Sequence, residues 1–118
     1  MPIVPLDSTT YVQLTDAERR RVADYASPLT YSLECLYRLW VSGPAQQMTL
    51  HDQLAVAETA SPCAFLSRRE MLPLVVDNEG YTRINRGRGE PATVCLEPKG
   101  DESMKYYLDE LTNQRLGL

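Results

Sequence analysis

Histidine, phenylalanine and tryptophan each occur once in the 118 residues, and the three cysteines, Cys35, Cys63 and Cys95, lie far apart. With one histidine, His51, and no Cys-x-x-Cys pair, no zinc site is expected, and no metal or cofactor is assigned. An odd number of cysteines among apolar neighbours reads as buried, reduced thiols of a cytoplasmic protein. Cys63 has a second reading. It falls in the first turn of an expected helix, where a thiolate is favoured, so it could respond to oxidants. No apolar run approaches the roughly 18 residues of a membrane span, so no membrane partner is expected. Met1–Asp7 lacks a basic region followed by an apolar core, so no secretory leader is read there. There is no phosphate loop, no Gly-x-Ser-x-Gly and no paired-carboxylate motif. Nothing here points to an enzyme.

What is present is ordinary globular composition, with 43% hydrophobic and 24% charged residues, enough for one domain with a usable core. The net charge is −4 and the isoelectric point about 4.9, which is unusual for a chain that binds phosphates. The distribution is more informative than the sum. Residues 1–60 carry four arginines against seven carboxylates, and residues 90–118 carry three basic groups against six acidic ones. Between them, residues 61–89 carry five arginines (68, 69, 83, 86 and 88) against three carboxylates, the only positive stretch.

The pattern predicts an extended arm over residues 1–14. Two helices follow within 15–48. The first is capped by Thr15 with Glu18 as the reciprocal residue. The second begins at Ser27-Pro28 and carries Leu29, Leu33, Leu36, Tyr37 and Trp40 at helical spacing, which makes it the expected main core helix. Arg19-Arg20-Arg21 lies among Asp16, Glu18 and Asp24 and reads as a solvated face. Ser42-Gly43-Pro44 ends the second helix, and a short strand precedes Thr49. Residues 49–72 read as two short helices joined by a tight turn. Thr49 caps the first, Leu50, Leu54 and Ala57 bury one face, and Ser61-Pro62 starts the second. Ala64, Phe65 and Leu72 would face inward. Pro73 stops that helix. Residues 74–97 read as a β-hairpin, with strand 81–85 returning as strand 92–96 around the tip Arg86-Gly87-Arg88-Gly89-Glu90-Pro91. A last helix, within 101–118, carries Met104, Leu108, Leu111 and Arg115 along one side.

The expected fold class is therefore mainly α with a small antiparallel sheet (α+β). A helix-turn-helix followed by a β-hairpin is a winged helix-turn-helix, here with flanking N- and C-terminal helices. Leu36-Tyr37-Arg38-Leu39-Trp40, Met48-Thr49-Leu50-His51-Asp52-Gln53-Leu54-Ala55, Ser61-Pro62-Cys63-Ala64-Phe65-Leu66-Ser67-Arg68 and Cys95-Leu96-Glu97-Pro98-Lys99-Gly100 resemble, in order and spacing, the core helix, helix start, recognition helix and wing closure of MarR-type winged-helix regulators. Pro73, the Gly87–Pro91 tip and a single final helix depart from that pattern. The resemblance implies a transcriptional regulator, such as a repressor, that reads double-stranded DNA. Core packing is the first reading of Tyr31, Tyr37 and Trp40; as the alternative, the resemblance also allows them to form a pocket for a small aromatic effector.

On physical grounds, a recognition helix would offer Ser61, Ser67, Arg68 and Arg69 to base edges and phosphates. Arg83, Arg86 and Arg88 would serve the adjacent groove or backbone, since the guanidinium fork suits guanine and phosphate. A homodimer formed through the C-terminal helix would double the modest basic face and read a palindrome. The competing expectation is a winged-helix protein-interaction module without DNA binding, which the acidic isoelectric point supports.

Overall fold

Thr15 and Ser27 show how closely local chemistry sets the first half of the chain. The Thr15 hydroxyl accepts from the Glu18 N–H at 3.3 Å, and the Glu18 carboxylate accepts from the Thr15 N–H at 2.7 Å. This reciprocal box starts helix α2, Asp16–Asp24. Ser27 repeats the device with Thr30, and Pro28 occupies the first turn of helix α3, Pro28–Trp40. The computed structural model describes residues 2–41 and 47–114. Before these helices come α1, Leu6–Thr9, and strand β1, Gln13–Leu14; after them come β2, Met48–Thr49, and helix α4, His51–Ala60. Strands β3, Leu66–Val76, β4, Thr82–Ile84, and β5, Glu90–Pro98, lead into helix α5, Gly100–Asn113. The fold is α+β, with five helices and two small antiparallel sheets among the described residues.

The core joins α2, α4 and α5 to the root of the larger sheet. Val12, Leu14, Val22, Leu50, Leu54, Phe65, Leu66, Cys95, Met104 and Leu108 are all buried in it. Phe65 packs its ring against Tyr106, with centroids 4.8 Å apart and the ring planes tilted by 35°, within the separation at which aromatic pairs attract. The N-terminal segment is not a free extended arm. Residues 6–9 form a helical turn, and Ile3 exchanges backbone hydrogen bonds with Thr93 and Cys95, both at 2.8 Å, along the outer edge of β5. Ser8 adds a hydroxyl bond to the Cys95 carbonyl.

The structure corrects three further expectations of secondary structure. First, residues 61–72 are not a recognition helix. Residues 61–65 form a turn in which Cys63 takes φ = 66°, and from Leu66 onward the chain is a strand paired with β5 from Leu66↔Pro98 to Leu74↔Glu90. The helical signal rested on a cap-proline pair and three apolar positions, and a long ladder outweighs such local propensity. With that helix absent, these residues form no helix-turn-helix. Second, the expected hairpin between 81–85 and 92–96 does not form. The order is β4-β3-β5, so both strands flank β3 rather than each other. Residues 85–89 cross from one edge of β3 to the other over Pro73, where the Asn85 N–H donates to the Pro73 carbonyl at 2.8 Å. Gly89 makes the crossing possible: a Cβ there would lie 2.3 Å from the Pro73 carbonyl carbon. Third, Thr49 caps nothing. It pairs with Gln13 in the two-stranded sheet, and α4 starts without a side-chain cap. Ser42-Gly43-Pro44, the start of the short strand before Thr49 and Arg115 lie outside the described residues.

The outer half of the larger sheet stands away from the helical body. The radius of gyration is 16.8 Å and the extents are 53 × 32 × 26 Å, where a compact chain of this length has a radius near 13.5 Å.

Candidate interaction surfaces

The arginines expected to bind DNA do not share one face. Adjacent strand residues point to opposite sides of a sheet, so Arg68 and Arg69 on β3 diverge. Arg68 is held between Glu70 at 2.8 Å and Glu97 at 2.6 Å. Arg69 turns inward to Glu58. Arg83 pairs with Asp77 and lies 5.2 Å from the centre of the Tyr81 ring. That pairing, with backbone N–H groups from Tyr81 and Glu79, holds the Asp77 carboxyl below its ordinary range. Ser67 donates to the Glu97 carbonyl at 3.1 Å, and Ser61 ends α4, partly buried. Arg86 and Arg88 are exposed on the crossing segment and have no ion-pair partner among the described residues. The Asn85 side chain shapes this tip by accepting from the N–H groups of Gly87 and Arg88.

Tyr31, Tyr37 and Trp40 do not line a common pocket. Tyr37 is 7% exposed and sits under Arg19, whose guanidinium carbon is 4.7 Å from the ring centre. Tyr31 and Trp40 lie on the outer side of α3, at 70% and 52% exposure. The apolar residues of α3 extend around more than one face, so spacing alone did not say which face is covered.

Sequence reasoning missed the most enclosed charged group among the described residues, Glu58. It is 1% exposed, and its Oε1 atom accepts from Arg69, from the Cys63 N–H at 3.0 Å and from the Cys95 thiol at 3.8 Å. Its Oε2 atom is buried and makes no hydrogen bond. Burial, and then the nearby Glu58 charge, push the Cys95 thiol up, so Cys95 is an inert, protonated group. Cys63 is exposed, as is Cys35; both were expected to be buried. Cys63 lies in a turn, without the helical N-terminus that the redox reading required. No sequence motif announces Glu58; the only signal is a carboxylate one position past the apolar Ala57.

The second unforeseen feature is a groove of about 370 Å³ between α4 and α5. Leu50, Val56, Ala57 and Ala60 form one wall, Tyr106 and Tyr107 the other, and Asp52 and Glu110 lie among its lining residues. Burial raises the Tyr107 hydroxyl above its ordinary pKa. Among the described residues no cluster of three or more metal-ligating side chains occurs, and no helix is long and apolar enough to cross a membrane.

The third feature is the outer part of the larger sheet, a β-arm. Its residues Met71, Val76, Tyr81 and Ile84 are 65%, 70%, 60% and 57% exposed. The register Leu74↔Ile84 and Val76↔Thr82 places Ile84, Leu74 and Val76 on one face, with Leu72 beside them. Met71 lies on the other face. No family model matches the chain, and no curated protein matches it.

Proposed function

We propose that this chain is a protein-interaction module that presents the β-arm to a partner. The observation that carries the reading is the uncovered apolar face of the arm formed by Val76 and Ile84 with Leu74 beside them, with Met71 and Tyr81 exposed elsewhere on the arm. Contiguous apolar surface held away from a protein's own core marks an interaction site. The arm also leaves the backbone of β4 unpaired on its outer side, an edge that a partner strand can extend. Three of the five arginines between residues 61 and 89 are already engaged by carboxylates, which removes much of the charge that phosphate binding would use.

The test is affinity capture from host cells with the full chain and with V76D/I84D. Both positions are more than half exposed, so the variant should fold, which circular dichroism checks. A partner captured by the wild type and lost with V76D/I84D supports the reading. An identical set of partners, or none, overturns it.

A second reading has one observation in its favour. Arg86 and Arg88 have no ion-pair partner among the described residues and lie on a glycine-rich tip, suited to phosphate or a narrow groove. On this reading the protein is a homodimeric, sequence-specific DNA-binding regulator that uses the arm as its wing. Selection from random duplex DNA at two salt concentrations tests it. A palindromic consensus is expected, and R86A/R88A should flatten the salt dependence by about 0.9 in log–log slope for each phosphate no longer neutralised. No enrichment, or an unchanged slope, rejects it.

A further inference from the structure

We infer that the outer face of α3 is covered by a second copy of this chain, through a two-fold, antiparallel pairing of α3 with itself. At 100° per residue, Tyr31, Cys35 and Leu39 form one line along the helix, and Ser32, Leu36 and Trp40 a neighbouring one. All six are exposed: Tyr31 70%, Leu36 62%, Leu39 77% and Trp40 52%, with Cys35 and Ser32 between them. On the opposite side of the helix, Thr30 and Tyr37 are buried against the body. Helix α3 is thus apolar on both sides but, among the described residues, covered on only one, the pattern of a helix buried in a larger assembly.

Three features select a second copy as the occupant. The six stripe residues carry no charge, and Arg38, which flanks them on α3, is paired with Glu34 of its own helix at 2.8 Å, so a symmetric pairing of two chains of net charge −4 sets no unpaired like charges of α3 against each other. It is also self-complementary. A two-fold axis between Cys35 and Leu36, the centre of the stripe, sets Tyr31 of each copy against Trp40 of the other and Ser32 against Leu39. The small cysteine at the centre lets the helices approach closely. Area is the third feature. An aromatic side chain buries about 150–250 Å², so Tyr31, Trp40, Leu36 and Leu39 offer roughly 500 Å² per copy and a pair about 1,000 Å², the size at which a specific interface begins. This face is separate from the β-arm, so the proposal stands or falls independently of the arm's partner.

Sedimentation equilibrium of the full chain across the micromolar range tests it, together with L39E and a short bismaleimide cross-link at Cys35 in a C63S background. Leu39 is 77% exposed, so L39E should keep the wild-type circular dichroism spectrum. The expected result is a wild-type dimer, at least ~100-fold weaker self-association in L39E, and a cross-linked dimer that C35S abolishes. A wild type that is monomeric throughout, or a dimer indifferent to L39E, overturns the proposal.

Discussion

The helical body and the β-arm are built from similar residues yet use them in opposite ways. In the body, Leu50, Leu54, Leu66 and Leu108 are each at most 4% exposed. In the arm, Val76 and Ile84 are exposed by more than half. The arm is held by its ladder, by the Asp77 turn and by one glycine crossing; the body is held by packing. Apolar side chains that contribute to stability in one region are available for contact in the other. The same comparison applies within α3, whose inner face belongs to the body and whose outer face is open.

The largest expected effect is in the body. Leu54→Ala removes a buried side chain and should cost about 2–5 kcal/mol in urea unfolding. Val76→Ala in the arm should fall within about 0.5 kcal/mol. Equal costs would mean that the arm is covered. Next comes Glu58, where the two regions meet. Glu58→Ala leaves a cavity and unpaired donors and should cost about 2–3 kcal/mol. Arg69→Met should destabilise more than Glu58→Gln, because it leaves a buried carboxylate without its counter-charge. The reverse order would show that the ion pair is open to solvent.

The glycines grade the arm itself. Gly89→Ala should disrupt the crossing, because its methyl group would meet the Pro73 backbone, and amide exchange should rise across 85–91. Gly80→Ala has open space but φ = 88°, so a cost of about 1 kcal/mol is expected. Gly87→Ala should be nearly neutral, with its nearest contact an ordinary 3.7 Å from the Asn85 side chain.

The smallest effect is that of pH. Arg83 depresses the Asp77 carboxyl; Lys105 and then Arg21 depress that of Asp109. A carboxylate with a lowered folded-state pKa contributes stability that is present above its ordinary value, 3.8, and lost as pH falls through the lower folded-state value. Both carboxylates are reached by solvent, so the loss should be small. Asp77→Asn should remove part of this acid sensitivity in the arm, and Asp109→Asn part of it in the body. Denaturation midpoints measured below and above that range check both.

Legibility followed the range of the interaction. The box at Thr15 needs a partner three residues away and stands in the structure as the sequence spells it, and the cap-then-proline start at Ser27 also forms, with a Thr30 partner seen only in the structure. Met104 and Leu108, spaced at i, i+4, are buried on α5. The candidate sites were less legible. Arg86 and Arg88 were expected on a hairpin tip; that hairpin does not form, but both are exposed on the segment that crosses between β4 and β5, because Gly-rich, polar chain between strands has few alternatives. Arg68, Arg69 and Arg83 have the same chemistry but acquired carboxylate partners, two of which come from distant segments. Glu58 and the α4–α5 groove were not visible at all, since each exists only where separate elements meet.

By itself, the sequence determined the helix starts at Thr15 and Ser27, the scarcity of histidine and of paired cysteines, and a basic segment between two acidic ones. These depend on residue identity and on neighbours within one turn. Tertiary structure alone decided that residues 66–72 are strand rather than helix, that β4 and β5 lie on opposite edges of β3, and that α3 keeps one apolar face outside. The physical reason is that a ladder between residues 66 and 98 and the burial of a face are sums over distant partners, and such sums outweigh local preferences worth a fraction of a kcal/mol per residue.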